Sequence, residues 1–253
     1  MTKSLNSVLS LGAVVALLLV AAGTVDLRFV ATLQPQVVLE WWWPLAQGGL
    51  TSLAITGCAV ALGLALGIVI AVLQWLPTGR VIRVLLHAYV EIGRNVPLIV
   101  QLFWVHFALP LVTGVSTSAF VSGFVALAFQ SSAYLADITR GGIQAVNRGQ
   151  WMAADALGLP RWSVWRDIVL PQALRIMLPA IGNLAVSFLN ASALLSVLSV
   201  GELMSVSTKV SDYAMRPIEI MTATALFYLV CNLIISGFFA VLERRFPGGA
   251  HAS

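Results

Sequence analysis

Two pairs of opposite charge stand out in a chain that has few charges to place. Glu91 precedes Arg94 by one helical turn, and Asp137 precedes Arg140 at the same spacing. Each pair suits either a local ion bridge that offsets desolvation near lipid or a gate on a solute route. Gln101, His106, Asn190, Ser192 and Ser196 are polar residues of another kind, set inside apolar runs. There they suit hydrogen bonds between helices or the lining of a polar path. Nothing in the chain composes a catalytic or metal-binding set. His87, His106 and His251 are far apart, and Cys58 and Cys231 occupy separate apolar runs, where each reads as a small buried hydrophobe. The chain lacks a Gly-x4-Gly-Lys-Ser/Thr loop, and its lysines are Lys3 and Lys209, so P-loop nucleotide binding is excluded.

The elements that must position these residues follow from where charge is missing. Fourteen Lys and Arg and ten Asp and Glu are spread over 253 residues, and 59% of the chain is hydrophobic. Soluble domains carry about a quarter charged residues, so these cannot cover a water-facing surface. Uncharged stretches run over 4–25, 41–79, 95–136, 176–201 and 220–242. Each exceeds the roughly 20 residues a spanning helix needs, and lipid offers the backbone no partner outside the helix itself. The reading is an all-α membrane protein with about six spans near 5–24, 48–75, 84–109, 119–139, 177–200 and 218–242. Trp41, Trp42, Trp43 and Pro44 read as an interfacial belt, while Pro110 and the 113–118 cluster read as a turn. Gly57, Gly63 and Gly67 suit close helix packing.

Six spans put both termini on one side. That side then holds every Lys and Arg except Arg28, Lys209 and Arg216, which places both termini and the 141–175 loop in the cytoplasm. The expected organisation is an N-terminal span and periplasmic segment over 1–47, a membrane domain over 48–245 and a cytoplasmic tail over 246–253. The first span has a rival reading: Lys3, an apolar run and Ala21-Ala22-Gly23 also resemble a signal peptide.

The segment from Gly141 to Pro179 is too rich in arginine to span, at about 2.5 to 3.5 kcal/mol per Arg at a bilayer centre. Trp151, Met152, Ala154 and Leu157 recur at near-helical spacing, and Gly158 and Pro160 end that helix. A second short helix is predicted from about Ser163, with Pro171 and Pro179 marking the return to the membrane. An apolar-faced element of this kind suits the membrane surface or a cytoplasmic partner equally.

The spacing in this segment resembles the coupling loop of bacterial ATP-binding-cassette importer permeases: Glu-Ala-Ala, three residues, Gly, nine residues, Ile-x-Leu-Pro. Ala153 and Ala154, Gly158, and Ile168 to Pro171 match it, with Met152 in place of the Glu. The resemblance extends from about Gln47 to Arg245. It implies that Arg148, Gly149, Gln150, Met152, Ala153, Ala154, Gly158, Ile168, Leu170 and Pro171 couple to a separate ATPase. It further implies two ATP-binding subunits, a second permease subunit and an extracytoplasmic solute-binding protein, in a multi-pass chain of the bacterial inner membrane. ATP and Mg then belong to the ATPase and no cofactor to this chain, which is a transport subunit and not an enzyme. No nucleic acid is expected; the net charge of +4 reflects membrane orientation.

The stretch from Tyr89 to Leu98 resembles the Tyr-Val-Glu-x-x-Arg motif of polar amino-acid permeases, and its Asn95-Val96-Pro97 form that of the glutamate/aspartate branch. Asn190 to Leu194 stands where the family carries a Lys. Arg94, Gln101, Asn190 and Ser192 are the candidate pathway residues. A secondary transporter or channel is the alternative; it predicts inverted repeats, broken midplane helices and intramembrane charges, whereas the sequence shows no clear repeat and spans almost free of central charges.

Overall fold

The computed structural model describes residues 32–76 and 79–245, and these form helices joined by short turns. In chain order they are α1 (Gln36–Glu40), α2 (Trp42–Trp75), α3 (Arg80–Asn95), α4 (Leu98–Thr113), α5 (Ala119–Gln144), α6 (Arg148–Ala156), α7 (Arg161–Leu198), α8 (Leu203–Ala214) and α9 (Pro217–Arg245). Four of them, α2, α5, α7 and α9, are long and apolar enough to cross a membrane, and α3 with α4 makes a fifth crossing if the bent pair is one span. The expected 5–24 span lies outside the described residues.

Three expectations about the spans are corrected. The 84–109 span is not one helix: α3 and α4 meet at 111° across Val96 and Pro97. Pro97 has no N–H to continue the ladder and forces the residue before it out of the helical region, so Val96 is extended. The carbonyls freed by the break are taken up by side chains, since lipid would leave them orphaned. Gln101 Nε2 donates to the carbonyls of Gly93 and Val96, Gln130 Nε2 to that of Val96, and the Tyr134 hydroxyl to that of Arg94.

The second correction concerns the return to the membrane. The short helix after Pro160 and the span expected at 177–200 are one continuous helical run, α7, and Pro171 and Pro179 lie inside it. The third is that Pro110 sits within α4 and not in a turn; the chain turns only at Gly114. Pro110 and Pro171 each follow a π-helical turn, Trp104–Ala108 before Pro110 and Val164–Val169 before Pro171. A proline ring clashes with the carbonyl four residues back, and a wider turn makes room for it without ending the helix.

At the centre lies α5, packed against α2, α3 and α7, with Leu127 and Leu135 fully buried. Without a hydrophobic force between helices in lipid, small residues and hydrogen bonds must hold such a bundle. Gly63 and Gly67 do this on α2: a Cβ on Gly67 would lie 2.7 Å from the backbone nitrogen of Ala136. Beside them, Ser131 Oγ on α5 donates to the carbonyl of Ala59 at 2.9 Å. Gly57 and Cys58 depart from expectation, because both lie on the outward face of α2; Gly57 faces open space and Cys58 is exposed. Helix periodicity puts them there, away from the Gly63 and Gly67 side that meets α5.

Candidate coupling element and polar face

α6 is the element the coupling motif marks. It begins at Asn147, whose Oδ1 accepts the Gly149 N–H at 2.7 Å, so the cap satisfies one of the first turn's orphan donors. It ends in a Schellman turn. The Gly158 N–H donates to the Asp155 carbonyl, the Leu159 N–H donates to that of Ala154, and Gly158 has φ +64. A side chain at that φ is strained, so glycine here is a backbone requirement.

Within α6, Ala154 is buried, while Arg148, Gly149, Gln150, Met152 and Ala153 are exposed. Beyond it, Ile168 packs against the core beside buried Val164 and Val169, Leu170 is exposed, and Pro171 is half-buried. The outward surface is apolar and basic: Met152 is 66% exposed, Leu157 75% and Trp162 72%, with Arg148 and Arg161 exposed alongside. Fixed to the bundle on its other face, α6 presents a short ridge that none of the described residues covers.

The candidate pathway residues separate into two groups. Gln101 and Ser192 are buried and committed to backbone, Gln101 at the α3–α4 break and Ser192 Oγ to the Leu189 carbonyl at 2.7 Å. Arg94 does not pair with Glu91. It bridges to Asp137 Oδ2 on α5 at 2.8 Å, while the second Asp137 oxygen takes Arg140 at 2.7 Å. Glu91 accepts instead from Asn95 Nδ2 at 2.8 Å. The cause is the end of α3, which brings Arg94 against α5, where one carboxylate serves two guanidinium groups. His106 Nδ1 lies 2.9 Å from Ser122 Oγ, an interhelical partnership.

Asn190 alone of the four points outward without charge. Its Oδ1 accepts from Asn232 Nδ2 on α9 at 2.8 Å. With Asn183 and Ser187, also exposed, Asn190 completes a polar stripe at helical spacing on α7, one that sequence spacing alone had not singled out as a set.

A second residue escaped the sequence reading. Glu202, between α7 and α8, is fully buried. Its carboxylate caps α8, accepting the N–H groups of Met204 and Ser205 at 2.9 and 2.7 Å, and takes Ser52 Oγ of α2 at 3.2 Å and the Tyr228 hydroxyl of α9 at 3.3 Å. Burial pushes this carboxyl above its ordinary range, and the capping N–H groups with Ser52 and Tyr228 pull it back. The available signal was a lone acid directly after the uncharged run that ends at Gly201.

Residues 63–247 match the family described as "Binding-protein-dependent transport system inner membrane component". The chain belongs to this family. A putative glutamine transport system permease protein of Rickettsia conorii is 32% identical over 79% of this chain and 92% of its own length. The glutamine transport system permease protein of Escherichia coli K12 is 34% identical over 80% of this chain and 94% of its own. Among solved structures, an amino acid ABC transporter crystallised with histidines superposes with a TM-score of 0.79 at 32% identity, covering 85% of this chain and 99% of that one. The methionine transporter MetNI, inward facing, shares the fold with a TM-score of 0.71 at 19% identity.

The protein is thus a multi-pass inner-membrane permease subunit of an ATP-binding-cassette amino-acid importer. In such systems the permease is not catalytic, ATP is hydrolysed by a separate chain, and a solute-binding protein and a second permease complete the assembly.

Proposed function

We propose that this permease admits a polar amino acid with an amide side chain, glutamine first, along the α7 face marked by Asn183, Ser187 and Asn190. It does so as a pair of permeases served by two ATPase subunits, which carry the ATP and Mg, and each ATPase docks on the exposed ridge of an α6. The observation that carries the reading is the polar stripe itself. Amide and hydroxyl groups exposed along an apolar span are costly against lipid, so that face serves a water-filled path or a second permease. Over 176–201 the chain has no charged residue, so the stripe offers amide donors and acceptors and no fixed cation. This chemistry complements a carboxamide, and the relatives named for glutamine transport support it. Glutamate or aspartate is the second reading, favoured by the Tyr89–Leu98 motif; its Arg94, however, is already bridged to Asp137.

Uptake of labelled glutamine by the reconstituted complex, with excess unlabelled competitors, tests the substrate. Glutamine should compete more strongly than glutamate or aspartate, and the reverse order overturns the amide reading. The docking role of α6 is tested with Gly158→Pro, because proline cannot adopt the φ of +64 found there. ATP-driven uptake by that variant at the wild-type rate removes α6 from the coupling route.

A further inference from the structure

The ridge of α6 explains how a partner could grip this chain, but not how a displacement of α6 reaches α2, which is remote in sequence. Three indoles lie between them. Trp75 is at the last turn of α2, Trp151 on α6 and Trp165 in the π turn near the start of α7. The Trp75 and Trp151 rings stack with centroids 6.0 Å apart and planes 4° from parallel. Trp165 stands edge-on to both, 6.0 Å from Trp75 and 5.6 Å from Trp151, each at 83°. Each ring touches the other two, so the three close a triangle across three helices that otherwise meet here through small or aliphatic residues such as Ala154 and Val164.

We infer that Trp75, Trp151 and Trp165 form a clamp that carries the displacement of α6 into α2 and α7 together. The inference rests on α6 being the ATPase-docking element. Offset-stacked and edge-to-face rings resist separation yet slide over one another at little cost, which suits a joint that must stay closed while α6 moves. α6 is joined to its neighbours in sequence only through the short turns 145–147 and 157–160, so rigid-body motion needs a side-chain link of this kind. α7 receives the motion twice, through Trp165 and through its own unbroken run into the membrane; α2 receives it through Trp75. Trp75 is therefore a positioning residue for transport and the most informative of the three to change.

The complex, reconstituted with its ATPase and solute-binding protein, is assayed for solute moved per ATP hydrolysed. Trp75→Ala should copurify with the ATPase at the wild-type ratio yet move about tenfold less solute per ATP, in keeping with the loss of two aromatic contacts. Trp75→Phe, which keeps a ring, should recover most of that loss; a merely space-filling role would be met as well by Trp75→Leu, which should not recover it. Wild-type solute per ATP in Trp75→Ala overturns the clamp, as does equal recovery by Phe and Leu. Should Trp75→Ala fail to assemble, the Phe and Leu variants decide by the same criterion. Absence of any ATPase from the wild-type preparation would instead sink the docking role of α6, so the two failures are distinct.

Discussion

The two ends of α2 are held in opposite ways. At its first turns Ser52 reaches a buried carboxylate that also caps α8 and meets Tyr228, so four directional hydrogen bonds converge on Glu202. Roughly 35 Å away, at 1.5 Å per residue, Trp75 meets Trp151 and Trp165 through ring faces and edges alone. A hydrogen bond weakens steeply with misalignment, and a buried partner left behind is costly, so the Glu202 end resists any change in geometry. Aromatic contact is far less directional. The bundle is therefore stiff where α2, α8 and α9 meet and compliant where α6 rides on it, the order expected if force enters through α6.

The contrast can be broken most forcefully at Glu202. Glu202→Ala strands the N–H groups of Met204 and Ser205 and the Ser52 hydroxyl, and should cost about 3 kcal/mol or more. Thermal unfolding of the detergent-solubilised permease measures it; a shift no larger than that of a surface change would make the hub dispensable.

A gentler perturbation at the same end is pH. Because the folded pKa of Glu202 is raised by burial, its contribution to stability is present at low pH and lost as pH rises from 4.5 through the folded value. Unfolding midpoints should fall over that window, and Glu202→Gln should flatten the slope.

The smallest effect is predicted at the other end. Leu157, 75% exposed among the described residues, should tolerate truncation: Leu157→Ala should leave stability within about 0.5 kcal/mol of wild type while weakening ATPase copurification. A large loss of permease stability would show that α6 is buried against its own bundle and not presented to a partner.

Much of the architecture was legible from charge alone. The uncharged runs located α2, α5, α7 and α9, because lipid enforces helix wherever charge and water are absent. Proline was the less reliable guide. Pro97 breaks a span that hydropathy reads as continuous, while Pro110 and Pro171 are absorbed behind π turns where a break was expected. The ring's steric demand is the same in each case. At Pro97 the side chains of Gln101 and Gln130 are placed to satisfy the freed carbonyls.

Within the candidate site, the motif spacing named α6 and its terminal Gly158, whose φ confirms why a glycine stands there. The polar residues were harder to sort. Spacing paired Arg94 with Glu91, but the fold sets Asp137 of α5 2.8 Å from the guanidinium. Glu202 was not recognised, since its four partners come from α2, α8 and α9.

By itself the sequence determined that this protein spans the membrane and where most of its spanning helices run, and it marked the loop that carries the coupling motif. These are local matters: twenty residues without charge, or a glycine seven positions after a tryptophan, act through the chain's own backbone. The tertiary structure decided what each polar side chain does. It turned Gln101 and Ser192 inward to backbone, left Asn183 and Ser187 exposed, joined Asn190 to Asn232 of α9, and closed Trp75, Trp151 and Trp165 into one contact. Periodicity places a residue on a face of its helix, but what that face meets depends on which other helices the packing brings there.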